Sequence, residues 1–175
     1  VHQLQGKAEF VTAPASQAPT ATLPLLLEFY IEKLADLTRH QSHATIVRQY
    51  DANNTYQYII NREEVQLSWL STAITDAGGT LPEVPSSPTR GATSAREAFD
   101  IDQQEAGAFI DRWRPRVEAM TNARHRGMLR IILGEVREQQ RFFDQALAGR
   151  TDLLGRRAGV DGEAIGEVLP ARWIE

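Results

Sequence analysis

The chain has 175 residues, no cysteine, and 19 Lys+Arg against 23 Asp+Glu, for a net charge of −4. That length suits one domain with a sizeable core, and the lack of cysteine excludes disulfide scaffolds, thiolate metal sites and cysteine nucleophiles. The acidic balance argues against nucleic-acid binding over the whole surface, and the longest apolar stretch, near Leu23–Leu27, falls far short of the roughly 20 residues of a membrane helix.

Residues 1–21 read as a flexible arm, because Ala13-Pro14-Ala15-Ser16-Gln17-Ala18-Pro19-Thr20 is small, Pro-bearing and unpatterned. No secretory leader is read here, and a start at Val1 rather than Met suggests a trimmed product or a fragment. Thr22 is the expected cap of a first helix over 23–44, with Pro24 in its first turn. Its stripe is read as Leu27, Tyr30, Leu34, Leu37, Gln41 and Ala44, at three- and four-residue spacing. No glycine or proline marks where it ends. A second helix carries the stripe Tyr56, Ile59, Ile60, Glu63, Gln66, Leu67, Leu70, Ala73, Ile74 and Ala77, and Gly78-Gly79 stops it. Residues 80–93 hold three prolines and no period. Ser94-Ala95-Arg96-Glu97 then matches a capping box that opens a third helix. Its stripe is Phe99, Asp102, Ala106, Phe109, Ile110, Trp113, Val117 and Met120, with a kink expected at Pro115. Thr121 or Asn122 caps a fourth helix, read with the stripe Met128, Ile131, Ile132, Glu135, Glu138, Gln139, Phe142 and Ala146, and ended by Gly149. Residues 150–175 form a tail whose closing Trp173-Ile174 is expected to dock on the bundle or on a neighbouring subunit.

Four long helices without a strand signal make an all-α bundle over 22–149. The 14 residues from 80 to 93 span about 46–50 Å when extended, whereas a helix of about 26 residues is only about 39 Å long. The third helix therefore has room to start at the end of the bundle where the second began. Length alone leaves an up-down-up-down bundle equally open.

Several stripes contain acids. Glu63 sits at the centre of the second, with Gln66 one turn on, and Glu135 at the centre of the fourth, with Glu138 one turn on. Asp102 lies on the third and Glu105 at its edge. Buried carboxylates repel one another and are costly unless protonated, paired or bound to a cation. Pairs at i and i+3 on two helices have the spacing of a dinuclear carboxylate centre.

The segments Arg62-Glu63-Glu64-Val65-Gln66-Leu67-Ser68-Trp69-Leu70 and Leu133-Gly134-Glu135-Val136-Arg137-Glu138-Gln139-Gln140-Arg141-Phe142-Phe143 resemble the Glu-x-x-His helices of the ferritin-like superfamily, nearest its rubrerythrin-type bundles. The resemblance covers about residues 23–148. It implies a ferritin-like four-helix bundle with a long second-to-third crossover, Glu63 and Glu135 as bridging carboxylates, and Asp102 or Glu105 as the third-helix ligand. Gln66 and Glu138 stand where the family has histidines, and the first helix offers Glu28 or Tyr30. With both histidines replaced, the preferred reading is a non-catalytic protein whose carboxylate site has degenerated. The alternative is a dimetal oxidoreductase or metal-handling protein using iron or manganese; an all-oxygen donor set would favour Mg²⁺, Ca²⁺ or Mn²⁺.

His40 and His43 fall outside the first stripe and read as exposed or partly packed. Arg112, Arg114, Arg116, Arg124, Arg126 and Arg130 cluster against Glu118 alone, a candidate anion or nucleic-acid contact better read as a solvated salt-bridge lattice. Trp69 lies off its stripe and is expected to pack under the crossover or at a subunit interface, as a second apolar face suggests, the interface being that of a homodimer. No residue is singled out as catalytic. The expected setting is cytoplasmic, with no membrane contact and no nucleic-acid partner.

Overall fold

The structure, a computed structural model, describes residues 22–83, 91–154, 157–158 and 164–165. Four helices make up the fold: α1 (Thr22–Ala44), α2 (Tyr50–Asp76), α3 (Ala95–Glu118) and α4 (Ala123–Leu147). Two-residue strands β1 (Arg157–Ala158) and β2 (Ala164–Ile165) pair antiparallel beyond them, where no strand is expected. The expectations for the arm over 1–21 and for docking of Trp173-Ile174 lie outside the described residues.

Local chemistry explains the boundaries. Thr22 is already helical rather than a cap. The α1–α2 turn has no glycine or proline; instead Asn53, on α2, reaches back and donates from Nδ2 to the carbonyls of Ala44 and Val47 at 2.9 and 3.0 Å. The Ala44 carbonyl is an orphan at a helix C-terminus, so a side chain from the next helix performs the capping. Gln49 caps α2 through Oε1, which accepts from Ala52 N–H at 2.6 Å. Helix α2 thus begins six residues before Tyr56, where its stripe is first read. Gly78, at φ 80°, turns the chain through the left-handed region that ends α2, as expected. A side chain at Gly79 would collide with Leu23, which closes the bundle there.

Ser94 Oγ accepts from Glu97 N–H at 3.2 Å as the capping box requires. The Glu97 carboxylate accepts from the N–H and hydroxyl of Thr93, one residue before the cap. Helix α3 runs through Pro115 and ends three residues later at Glu118. Asn122 caps α4.

Cross-helix contacts fix the directions. Glu28 meets Arg116 and Arg39 meets Asp102, so α1 and α3 are antiparallel. Tyr58 packs on Phe142 and Gln66 meets Glu135, so α2 and α4 are antiparallel too. Helices α1 and α2 form one hairpin, α3 and α4 the other. It follows that α2 and α3 run the same way; Tyr56 and Phe99, each near the start of its helix, stack at 6.2 Å. The link between them joins opposite ends of the bundle, which an up-down-up-down order does not require.

The core is built on Leu26, Phe29, Tyr56, Leu70, Ile74, Trp113, Leu129 and Ile132, all buried. Phe29 sits edge-on to Phe109 and Trp113 at 5.1 and 4.7 Å. Two stripes differ from expectation by about one residue of rotation. Helix α1 buries Leu26, Phe29, Lys33, Leu37, His40 and His43, while Gln41 is exposed. Helix α4 buries Leu129, Ile132, Leu133, Val136, Gln139, Phe142 and Phe143, leaving Ile131 56% exposed. Among the described residues, no helix is long and apolar enough to cross a membrane.

Candidate functional site

The interior between α1, α2 and α3 is ionic. The rotation of α1 points Lys33, His40 and His43 inward, in register with Leu26, Phe29 and Leu37. Helix α2 contributes Tyr56, Glu63 and Gln66, and α3 contributes Asp102. All seven of these polar side chains are buried.

Both oxygens of Glu63 are engaged. Lys33 Nζ donates to Oε1 at 2.6 Å, and His40 Nδ1 donates to Oε2 at 2.9 Å. Burial works against the Glu63 carboxylate, but the charges and hydrogen bonds of His40 and Lys33 outweigh it and hold its pKa at about 2. Asp102 is engaged as fully: Oδ2 accepts from His43 Nδ1 at 2.8 Å and from Tyr56 OH at 2.6 Å, while Oδ1 accepts from Arg39 Nε at 2.9 Å. Burial again opposes ionisation, and the His43 hydrogen bond, the His40 charge, Tyr56 and Arg39 bring Asp102 to about 2. Arg39 also holds Asp36 at 2.9 Å, and Asp36 lies 3.6 Å from Lys33 Nζ.

The cations respond in kind. Burial pushes Lys33 and His40 down, yet Glu63 and its neighbours reverse this, so both pKa values are raised. Burial and the Asp102 charge push the Tyr56 phenol up, so it serves as a donor. With His40 as imidazolium, the three anions Glu63, Asp102 and Asp36 meet the three cations Lys33, Arg39 and His40. The second ring nitrogen of His40, Nε2, stands 3.6 Å from Asp102 Oδ1, so the ring spans the two carboxylates. Within this interior two buried atoms, His40 Nε2 and Gln66 Oε1, make no hydrogen bond.

The residues expected from the sequence are divided by this arrangement. Glu63, Gln66 and Asp102 are in the interior. Glu135 is at the rim, its side chain 21% exposed, bonded to Arg62 and to Gln66 Nε2. Glu138 faces outward with Arg141 3.7 Å away, and Glu105 is exposed. Glu28 is exposed and paired with Arg116; Tyr30 is half-buried. The reason is the rotation of α4, which turns Val136 and Gln139 inward and both glutamates to its edge.

His40 and His43 correct the sequence reading: they are 2% and 0% exposed, because two interior acids need donors on the facing helix. Lys33 and Arg39 carry the same role and were missed. Their signal was a cationic and imidazole series at helical spacing opposite Glu63 and Asp102.

Much of the arginine-rich turn is a lattice of ion pairs: Arg112 with Glu32, Arg116 with Glu28, and Arg130 with Glu118. Trp69 is half-buried against the core, with the Arg62 guanidinium 6.0 Å over its ring.

Tested as a dimetal centre, the donor set does not fit. Glu63 and Asp102 have their oxygens committed to protein donors, and Glu135 and Glu138 point elsewhere. Among the described residues, no group of three or more His, Asp or Glu side chains is arranged to hold a metal ion. The sequence matches no family model and no curated protein.

Proposed function

We propose that this chain is a ferritin-like four-helix bundle without a catalytic centre, in which the protein's own side chains neutralise the interior acids that a metal would otherwise bind. The helix directions and the long α2–α3 link support the ferritin-like part of this reading. The observation that carries the rest is the double engagement of Glu63, with Lys33 on one oxygen and His40 on the other. A bridging carboxylate needs both oxygens free for metal, and here a fixed ammonium and an imidazolium hold them.

Such an interior is a rigid, charge-balanced core. It offers no open coordination position, and its nucleophilic and basic groups are locked in pairs. The bundle acts as a structural or interaction module rather than as an oxidoreductase.

Metal analysis of the full chain purified without chelators tests this. The expected result is metal far below one equivalent, with an unfolding temperature that does not change on adding EDTA. Iron or manganese at near-stoichiometric level, lost in Glu63→Ala, overturns the proposal in favour of a carboxylate-bridged dimetal protein.

A further inference from the structure

We propose that Lys33 Nζ occupies a cation site of the bundle interior, framed by Glu63, Asp36 and the Phe109 ring, and that this tethered ammonium keeps a divalent metal ion out of it. The inference rests on the metal-free reading above and assigns its cause to one residue.

The geometry is that of a bound cation. Nζ lies 2.6 Å from Glu63 Oε1 and 3.6 Å from Asp36 Oδ2, and 5.6 Å from the centre of the Phe109 ring. The carboxylates supply charge from two helices, and the aromatic face closes the third side. Lys33 is fully buried, so no water screens these contacts. Its aliphatic stem enters along the Phe29–Leu37 face of α1, which delivers the charge without any ion having to shed water.

Two further groups able to ligate a metal lie near Glu63. His40, two turns beyond Lys33, could ligate only after losing its proton, through Nε2, the ring nitrogen that makes no hydrogen bond. Gln66, one turn beyond Glu63, keeps a buried oxygen with no partner. Removing the ammonium leaves the Glu63 carboxylate buried with only His40 to offset it. A carboxylate placed at position 33 adds a donor and reverses the charge there. Such a mixed oxygen and imidazole set suits Mn²⁺, Fe²⁺ or Zn²⁺.

The experiment compares wild type with Lys33→Glu and Lys33→Glu/Glu63→Gln, each dialysed against Mn²⁺ or Zn²⁺ and assayed for metal and for unfolding temperature. Lys33→Glu is expected to retain about one metal ion per chain and to gain thermal stability with metal, whereas the double variant returns to the wild-type level. Bound Mn²⁺ would also show a broadened electron paramagnetic resonance spectrum. A helical Lys33→Glu that carries no more metal than wild type overturns the inference. If the variant is unfolded without metal, failure of Mn²⁺ or Zn²⁺ to restore its helical circular dichroism overturns it equally. Metal on the wild-type chain would instead sink the proposed function, so the two failures are distinct.

Discussion

Glu63 on α2 and Glu135 on α4 look alike in sequence: each has a polar side chain three residues on and a pair of isoleucines three and four residues before it. Their surroundings are opposite. Glu63 is fully buried between Lys33 and His40, while Glu135 stands at the rim with Arg62 and the amide of Gln66. A buried pair sits in a low dielectric, where leaving one charge alone is costly; a rim pair is screened by water. The difference shows that a carboxylate on an apolar stripe is defined less by its own position than by which cations the facing helix can turn toward it. Helix α1 supplies inward cations to α2 and α3. Helix α2 offers α4 only Arg62, from the surface.

The contrast is broken most directly by neutralising each acid. Glu63→Gln leaves Lys33 and His40 buried without their counter-charge and is expected to cost about 3–5 kcal/mol in urea unfolding at pH 7. Glu135→Gln is expected to cost at most about 1 kcal/mol, because Arg62 is free to turn to water. Equal losses would mean that the two sites are electrostatically equivalent, contrary to their burial.

Acid titration sharpens the same point. A carboxyl whose pKa is depressed on folding adds stability above its unfolded value and loses it as pH falls toward the folded one. For Glu63 that window runs from 4.5 down to about 2, and for Asp102 from 3.8 down to about 2. Together they are worth roughly 3–6 kcal/mol, lost across that interval. The raised pKa of His40 works in the other direction: its contribution is complete below 6.5 and disappears as pH rises through the folded value. Stability measured from pH 2 to 9 should therefore fall at both ends, and Glu63→Gln should flatten both limbs. A wild-type profile that stays level from pH 4.5 to 2 would refute the charge-balanced interior.

Smaller effects are expected from neutral donors. Tyr56→Phe keeps the ring beside Phe99 and Phe143 but removes the hydrogen bond to Asp102, at about 1–2 kcal/mol. The loss should shrink at low pH, once Asp102 is protonated; a loss independent of pH would assign Tyr56 a packing role only.

Which parts of this were legible before the structure follows from the physics of each. The stripe of α2 is readable from Tyr56 to Ile74, since Tyr56, Ile59, Ile60, Leu67, Leu70 and Ile74 leave one face possible; Ala77, read with them, lies past the helix end and is exposed. The stripe of α1 is misplaced because His40 and His43 read as exposed or partly packed and Lys33 is not considered, although Leu26, Phe29, Lys33, Leu37 and His40 keep the same period. Two acids on apolar stripes demanded partners, and that requirement pointed to these residues. Helix α4 is read a residue off for the opposite reason: Glu135 and Glu138 take the inward places of Leu129, Leu133, Val136 and Phe143, while Ile132, Gln139 and Phe142 are on the buried face as expected. The break before α2 had no local signal, because Asn53 makes it from the next helix. The shared direction of α2 and α3 is set by tertiary contacts, and the length of their link merely permitted it.

At the surface the comparison reaches its weak limit, in the pair Glu28–Arg116. Both side chains are well exposed, 51% and 32%, so their attraction is screened. Arg116 has a second attachment: its guanidinium lies 4.0 Å from the centre of the Trp113 ring, and Trp113 is buried. Glu28→Gln removes only the ion pair and is expected to cost no more than about 0.5 kcal/mol, vanishing in molar salt. Arg116→Ala removes the ring contact as well and is expected to cost about 1 kcal/mol, most of it surviving in salt. The two variants separate charge from stacking at one site. If Glu28→Gln were as costly as Glu63→Gln, burial would not be what divides the strong ion pairs of this bundle from the weak ones.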